Sequence, residues 1–173
     1  MMSIRAEYLG MPLSIDELDG ENLAFFQHCA AHDFHLQVCE SCNLLRYPPT
    51  TACPWCMGQR ARWVAVEGKG AVHSYTEVHH AIQPAFKAST PYLVLLVDLD
   101  TQNGKPSAEE ALRVVGNLVT PEGKLAAAEA VARVGIGTRV RMVFTDVAPG
   151  LALPQWTIDD SVEQPKPWRY PQD

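Results

Sequence analysis

Four cysteines form two closely spaced pairs, Cys39–Cys42 and Cys53–Cys56, with ten residues between the pairs. A Cys-x-x-Cys turn aims two sulfur atoms at one point, and two such turns can surround one ion with four thiolates. Zinc accepts this tetrahedral arrangement without geometric penalty, so the spacing predicts a structural Zn²⁺ site with all four cysteines as ligands. Such a closed site has no open coordination position, so no catalytic role is predicted for the metal.

Two other uses of these cysteines stay open from spacing alone. A rubredoxin-type iron site also takes four thiolates, and a single Cys-x-x-Cys can act as a redox dithiol. Zinc is favoured because two pairs with a short intervening loop are typical of a structural ribbon. The fifth cysteine, Cys29, is predicted to be a small buried hydrophobic residue. Three nearby histidines are expected to lie outside the ligand set: His28, His32 and His35.

The other reactive residue types do not form a convincing active site. Side chains of a strand point alternately to two faces, so on the predicted strand 71–80 His73, Glu77 and His79 share one face. A general base needs an oriented imidazole near a substrate, and the sequence shows neither a nucleophile nor a pocket here. It also contains no nucleophile elbow and no complete phosphate-binding loop. No catalytic residue is therefore predicted in this chain.

Composition excludes several broad classes of protein. The chain has 173 residues, 47% of them hydrophobic, and a formal net charge of −6. This hydrophobic content excludes wholesale disorder. The acidic balance argues against a main role in coating nucleic acid, because neutralising phosphates needs surplus Lys and Arg. No apolar run is long enough for a membrane span and no signal peptide is evident, so we expect a cytoplasmic protein.

Charge and patterning change along the chain and predict four parts. Residues 1–36 hold one basic and six acidic groups, whereas residues 37–66 hold three basic groups and one acidic group. We predict an N-terminal helical segment over 1–35, a zinc ribbon over 36–62, a barrel over 63–160 and an extended, proline-rich tail over 161–173. In the first part, Ser14 and Glu17 fit a capping box, and apolar spacing predicts a helix over about 21–31.

The third part is predicted to be a small antiparallel barrel, because five or so short strands are separated by turn signals. Segment 92–99 is apolar on both faces except at Asp98, which predicts a central strand covered on two sides. Gly116 within a further strand indicates a bulge or a close approach. Segment 101–111 is predicted to be a long hairpin loop, and segment 122–134 a short helix.

The order of helix, four-cysteine ribbon and barrel resembles the zinc-ribbon/OB-fold acyl-CoA-associated family, long catalogued as a domain of unknown function. The likeness runs over roughly residues 20–158. It rests on these segments: 39–42 (CESC), 47–49 (YPP), 53–56 (CPWC), 68–76 (GKGAVHSYT), 91–92 (PY), 97–99 (VDL), 116–119 (GNLV), 135–137 (GIG) and 153–156 (LPQW). Family ribbons usually carry Gly after each cysteine pair, where this chain has Asn43 and Met57. Because Met tolerates a left-handed backbone poorly, the second turn is expected to differ locally.

The resemblance implies a fold that is mainly β with an N-terminal helix: a rubredoxin-like zinc ribbon followed by an OB-fold antiparallel barrel. It also implies a role as a non-catalytic accessory subunit, in a hetero-oligomer with a thiolase-like enzyme. In such complexes the catalytic cysteine and histidines belong to the thiolase-like chain, and a CoA ester is the substrate of the complex. Among partners, a degradative thiolase is favoured over a steroid-type retro-aldolase or a synthase.

Two rival functions stay open. Zinc ribbons and OB-folds also bind single-stranded nucleic acid, by stacking bases on aromatic side chains in a basic groove. The barrel here is acidic overall, and its aromatic residues are not interleaved with Lys and Arg. The other rival is a free-standing acyl-CoA binder, in which one of four cations would meet the CoA phosphates: Arg46, Arg60, Arg62 or Lys87.

Overall fold

The computed structural model describes residues 3–170. The first part of the chain forms two strands and a helix, β1 (Ile4–Tyr8), β2 (Met11–Ile15) and α1 (Gly20–Ala30). The ribbon consists of β3 (His35–Cys39), β4 (Leu45–Arg46) and β5 (Ala61–Ala65). The barrel contains β6 (Lys69–Val78), a 3₁₀ helix (Pro84–Ser89), β7 (Tyr92–Leu99), β8 (Arg113–Asn117), α2 (Ala128–Arg133), β9 (Arg139–Ala148) and β10 (Leu151–Ile158). Within residues 3–170, no helix has both the length and the apolar character needed to cross a membrane.

Helix α1 begins at a side-chain cap. The Asp19 carboxylate accepts a hydrogen bond from the backbone N–H of Asn22 at 3.2 Å, which satisfies one of the free donors of the first turn. Phe25 and Cys29 lie one turn apart and are buried in the main core cluster, and Leu23 is also buried. The N-terminal helix predicted from apolar spacing is therefore confirmed.

A β-hairpin precedes the helix and is absent from the elements predicted above. Strands β1 and β2 pair antiparallel around Leu9 (φ 51°) and Gly10 (φ 83°), the two left-handed residues that a tight hairpin turn requires. Ser14 lies in β2 opposite Arg5, so the predicted capping box of Ser14 with Glu17 is wrong. Each strand has five residues, too short a run of alternation to stand out beside the acidic residues that follow. The boundaries of the four parts stay a prediction.

The barrel closes through a contact between its two edge strands. Its sheet has the order β10-β9-β6-β7-β8, with every strand antiparallel to its neighbours. Leu118, just after β8, makes a parallel bridge to Trp156 of β10, and the Val119 N–H donates to the Trp156 carbonyl at 2.8 Å. A five-stranded barrel with this closure is an OB-fold. The predicted fold class is therefore confirmed for the barrel.

Trp156 fills the barrel where it closes, and the side chain is fully buried. A Cβ on Gly116 would lie 2.9 Å from the Trp156 ring, so β8 can approach the indole only with glycine at this position. This is the close approach that the sequence predicted at Gly116. One apolar cluster then runs from the barrel through the ribbon to α1, and includes Leu95 of β7, Leu36 of β3 and Phe25 of α1. The helix, the ribbon and the barrel therefore share a core.

Strand β7 is covered on one side only. Leu93, Leu95, Val97 and Leu99 point into the barrel and are at most 1% exposed. Their neighbours in the strand, including Val94 and Leu96, point outward and are only partly buried. The prediction of a strand covered on both sides is therefore wrong within this chain. An aliphatic surface is left on the outside of the barrel.

The C-terminal tail is extended and attached to the barrel. The backbone N–H and C=O of Trp168 pair with those of Ile136 at 2.9 and 2.8 Å. Arg169 donates to the Val131 carbonyl at 2.7 Å and contacts the Glu77 carboxylate. The last three residues of the predicted tail, 171–173, lie outside the described residues. Helix α2 occupies only the second half of the predicted segment 122–134, because a tight turn fills the first half.

Gly70 is expected to be essential for packing β6 against β7. A Cβ at this position would lie 2.2 Å from the backbone oxygen of Asp98, so the strand itself would have to move. We expect Gly70→Ala to lower the free energy of unfolding by about 1–3 kcal/mol, measured by urea denaturation. Gly20→Ala is the matched control, because Gly20 starts a helix and has open space around it. An unchanged urea midpoint for Gly70→Ala would contradict the packing described here.

Candidate metal centre and the outer face of the barrel

The two cysteine turns have the same backbone geometry. The Asn43 N–H donates to the Cys39 carbonyl at 2.9 Å, and the Met57 N–H donates to the Cys53 carbonyl at 2.9 Å. Asn43 (φ 59°) and Met57 (φ 62°) both adopt the left-handed backbone conformation. The expected local difference at the second turn is therefore wrong. Met57 takes the conformation that Gly supplies elsewhere, at a cost of about 1–2 kcal/mol.

These turns bring four sulfur atoms together. The Sγ atoms of Cys39 and Cys56 lie 3.6 Å apart, and those of Cys42 and Cys53 also lie 3.6 Å apart. All four atoms lie within 4.8 Å of one another. A tetrahedron of zinc–sulfur bonds of about 2.3 Å has edges of about 3.8 Å. The cluster therefore fits a four-coordinate ion and can hold a metal such as zinc.

Backbone N–H groups and the neighbouring sulfur atoms shift the pKa values of two of the thiols, Cys39 and Cys42, in opposite directions. Backbone N–H groups of Cys42 and Ser41 lower the pKa of Cys39 to about 6. The backbone N–H of Leu44 also acts to lower the pKa of Cys42, but burial and the neighbouring sulfurs raise it to about 12. Without a cation the cluster therefore retains a proton, because four thiolates at these distances repel one another. A divalent metal ion replaces that proton and neutralises two negative charges.

A buried polar clamp holds the loop between the two cysteine pairs. Gln37 and Arg46 face each other across β3 and β4, and the Arg46 Nε donates to the Gln37 Oε1 at 2.8 Å. The Arg46 Nη2 donates to the Thr50 carbonyl at 2.7 Å, and the Thr50 N–H donates to the same Gln37 oxygen at 2.9 Å. Arg46 is only 2% exposed. It is therefore unavailable to a CoA phosphate, and its inclusion among the four candidate CoA-binding cations is wrong.

A loop of the barrel completes the free edge of the ribbon. The Leu45 N–H donates to the Gln102 Oε1 at 2.6 Å, and the Gln102 Nε2 donates to the Leu45 carbonyl at 3.1 Å. One side-chain amide thus pairs with β4 as a neighbouring strand would. The long loop after β7 is thereby attached to the ribbon. No sequence signal indicates this contact, because a polar residue in a loop carries no periodic pattern.

The three histidines near the ribbon lie outside the sulfur cluster. The His28 ring stacks on the His35 ring with centroids 4.1 Å apart. Burial, and then the nearby His35, lowers the pKa of His28. The His32 Nε2 lies 2.8 Å from an oxygen of Asp146 on β9. Cys29 is fully buried, as predicted, and burial raises the pKa of its thiol to about 12.

A β-bulge in β6 reorients His73. The register between β6 and β7 shifts between Val72 and Ser74, so His73 is the extra residue of the bulge. Its Nδ1 lies 2.9 Å from one oxygen of Asp98, and the other oxygen accepts a hydrogen bond from the Arg113 Nε at 2.8 Å. Sequence reasoning missed this group, because its three members come from three separate strands.

The bulge also separates His73 from the two residues with which it was predicted to share a face. Glu77 is paired with Leu93, on the side of the strand that faces the barrel interior, whereas Asp98 and His73 lie outside. The His79 Nε2 lies 3.4 Å from a Glu77 oxygen. The prediction that His73, Glu77 and His79 share one face is therefore wrong. It assumed unbroken alternation along a strand that contains one additional residue.

The outer face of β6, β7 and β8 is aliphatic in its middle. Leu96 is paired with Ser74 on one side and with Val115 on the other, and Val115 is 47% exposed. The next row along β7 places Val94 between Thr76 and Asn117. The second and third strands of OB-folds commonly form the ligand-binding face. Here these two rows offer neither the aromatic rings nor the cations that single-stranded nucleic acid requires.

Comparison with known proteins identifies the barrel. Residues 63–145 match the family described as ChsH2, C-terminal OB-fold domain. A protein of Thermomonospora curvata described as a probable enoyl-CoA hydratase alpha subunit is 31% identical over 139 residues. The matched region is 79% of this chain and 37% of that protein. The chain therefore spans little more than a third of that relative's length.

Two solved structures have the same fold. A chain of a structure described as the Ltp2-ChsH2(DUF35) aldolase matches with a TM-score of 0.63 and 29% identity, over 83% of this chain and 98% of that chain. A DUF35-family protein of unknown function from Sulfolobus solfataricus matches with a TM-score of 0.51 and 13% identity, over 82% of this chain and 87% of that chain. The second likeness shows the fold alone. The family resemblance predicted from the sequence is thus confirmed.

Chelation is expected to unfold the ribbon and leave the barrel folded. Structural zinc contributes about 10–16 kcal/mol in small ribbons, more than the few apolar residues of segment 36–62 can replace. After treatment with a strong chelator, hydrogen exchange followed by mass spectrometry should show fast exchange in β3–β5 and retained protection in β6–β10. Cys29→Ala is the control, and it should keep one metal ion per chain. Retained protection of the ribbon in metal-free protein would contradict a structural role for the ion.

Gln37→Ala is expected to weaken metal binding through the loop. The substitution removes the partner of both Arg46 and the Thr50 N–H, and leaves a buried guanidinium poorly paired. Groups that support metal ligands typically change metal affinity by about 10–100-fold, and we expect a loss in that range in competition with a chromophoric chelator. Gln59→Ala is the matched control, because Gln59 is an exposed amide in the same ribbon. Equal affinities for the two variants would show that the clamp does not position the cysteines.

Proposed function

We propose that this chain is a non-catalytic accessory subunit of a thiolase-like enzyme that acts on a CoA thioester. The observation that carries the proposal is the match to a chain of the Ltp2-ChsH2(DUF35) aldolase, which extends over 98% of that chain. The match covers 83% of this chain. That aldolase is described by two components, Ltp2 and ChsH2. By analogy, this chain would form a hetero-oligomer with a catalytic partner.

The metal in this proposal is a structural Zn²⁺ ion held by Cys39, Cys42, Cys53 and Cys56. The donor set supports zinc, because four thiolates in a tetrahedral cluster are the usual structural zinc site. When bound, the ion crosslinks the two cysteine turns and leaves no position for a substrate. The chain's own residues hold the turns in place, through the clamp of Gln37 and the contact of Gln102 with β4.

The expected partner shifts from a degradative thiolase toward an aldolase-type enzyme. The sequence resemblance favours a thiolase, but the structural neighbour of comparable extent is described as an aldolase. The curated relative is described as a hydratase subunit, and 63% of its length lies outside the match. Because the match covers only 37% of that relative, its description is the weaker analogy. We therefore propose that the partner cleaves or forms a carbon–carbon bond next to a thioester.

The geometry of the histidines supports a non-catalytic role. His73 and the Glu77–His79 pair lie on different sides of β6, so they cannot act together as acid and base on one substrate. The aliphatic middle of the outer face supports contact with another protein, since protein interfaces bury aliphatic surface in their centres. It also counts against the nucleic-acid alternative, which needs stacking rings and cations.

Co-expression with a thiolase-like protein tests the proposal, and a neighbouring gene that encodes one would supply the candidate partner. We expect the two to co-purify, and we expect the partner's activity on CoA thioesters to fall at least about tenfold when this chain is omitted. As a control, the partner is expressed with the Cys39→Ala variant, in which the ribbon is defective. Its activity should then fall as far as it does when this chain is left out. The purified chain alone should show no salt-sensitive retention of single-stranded DNA. A partner that neither co-purifies nor depends on this chain would refute the subunit role.

A further inference from the structure

The four cysteines of the cluster differ sharply in their exposure. Cys39 and Cys53 are fully buried, Cys42 is partly buried and Cys56 is exposed. Of the four cysteines, Cys56 is therefore the one that solvent reaches most directly. Oxidants attack thiolates according to their accessibility as well as their charge.

The surroundings of Cys39 explain its protection. Gly58 passes close to this sulfur, since a Cβ at position 58 would lie 3.2 Å from the Cys39 Sγ and 2.8 Å from the Ser41 Oγ. Cys56 has the opposite setting, between Trp55 (37% exposed) and Met57 (73% exposed) at the tip of the ribbon. Yet the two sulfurs lie only 3.6 Å apart. An exposed thiolate thus has a shielded thiolate beside it.

We propose that Cys56 is a modification site for hydroperoxides and that Cys39 resolves the modified residue into a disulfide. The Cys56 thiolate attacks one oxygen of the hydroperoxide, the O–O bond breaks, and hydroxide or alkoxide leaves with the electron pair. Cys56 becomes a sulfenic acid, so the sulfur is oxidised by two electrons and the peroxide is reduced. The Cys39 thiolate then attacks the Cys56 sulfur, the S–S bond forms, and hydroxide leaves and takes up a proton.

This pair of steps removes two of the four sulfur ligands. The metal ion keeps only Cys42 and Cys53, and a two-thiolate site binds zinc far more weakly than a closed four-thiolate site. Zinc is then released to solvent. A thiol reductant together with zinc reverses the change, because a disulfide returns to two thiolates by exchange. The inference concerns the ribbon itself and does not depend on the identity of the partner.

The test uses the full zinc-loaded chain and hydrogen peroxide. A chromophoric chelator records zinc release, dimedone traps the sulfenic acid, and peptide mass spectrometry locates both the trapped residue and the disulfide. With dimedone present, we expect Cys56 to be the first labelled cysteine. Without dimedone, we expect a Cys39–Cys56 disulfide, and zinc should be released as that disulfide forms. First labelling of any other cysteine would overturn the proposal, as would release of zinc without a Cys39–Cys56 disulfide.

Two variants separate this site from general oxidation. Cys56→His retains a zinc-binding atom without an oxidisable sulfur, and we expect peroxide to release zinc at least about tenfold more slowly. Met57→Leu is the matched control, because it removes the exposed thioether beside Cys56 and should release zinc at the wild-type rate. If Cys56→His fails to load zinc, labelling of the wild-type chain decides. If peroxide releases zinc from Met57→Leu as slowly as from Cys56→His, the assignment of Cys56 is overturned.

Discussion

Four sulfur atoms within 4.8 Å of one another impose the main constraint on this fold, because four thiolates so close repel unless a cation lies between them. The ribbon around them is small: two of its strands have five residues and the third has two. It nevertheless supplies Leu36, Val38 and Leu45 to the core that it shares with α1 and the barrel. In the proposed metal-bound state, neutralising the cluster would therefore order the ribbon and, through it, the packing of the helix.

Glutamine side chains complete several backbone edges that the short strands leave open. Gln37 accepts a hydrogen bond from the Thr50 N–H, and Gln102 pairs with both backbone groups of Leu45. In the barrel, Gln155 accepts from the Asn117 N–H at 2.6 Å, and Gln164 pairs with both backbone groups of Arg139 at 2.9 and 3.1 Å. A primary amide carries both a donor and an acceptor, so it can stand in for a peptide group where a neighbouring strand is missing. These contacts link the ribbon, barrel and tail without adding apolar surface.

The features that the sequence predicted are those with a local signal. Cysteine spacing located the cluster, helical spacing located α1, and the apolar run at 92–99 coincided with β7. The failures arise where one residue changes the period or where partners are distant in sequence. The bulge at His73 reverses the faces of β6, and the hairpin before α1 is too short to show alternation. No local pattern could have placed Gln102 beside Leu45, which is 57 residues away.

The barrel separates the two surfaces on which a function could be built. At one end of the outer face, Asp98 uses both of its oxygens on His73 and Arg113, so its charge is already paired within the chain. The rows beside it present aliphatic side chains, and burying such surface against a protein contributes about 25 cal/mol per Å² removed from water. Bases and phosphates would gain little from the two rows of Leu96 and Val94, which carry no aromatic ring; Tyr92 lies further along the same face, opposite Val78. The reactive side chains of the ribbon are the four cysteines, whose sulfur atoms can hold a metal ion. The aliphatic barrel face and the thiolate cluster, which can hold a metal ion, are the two features on which the proposed accessory role rests.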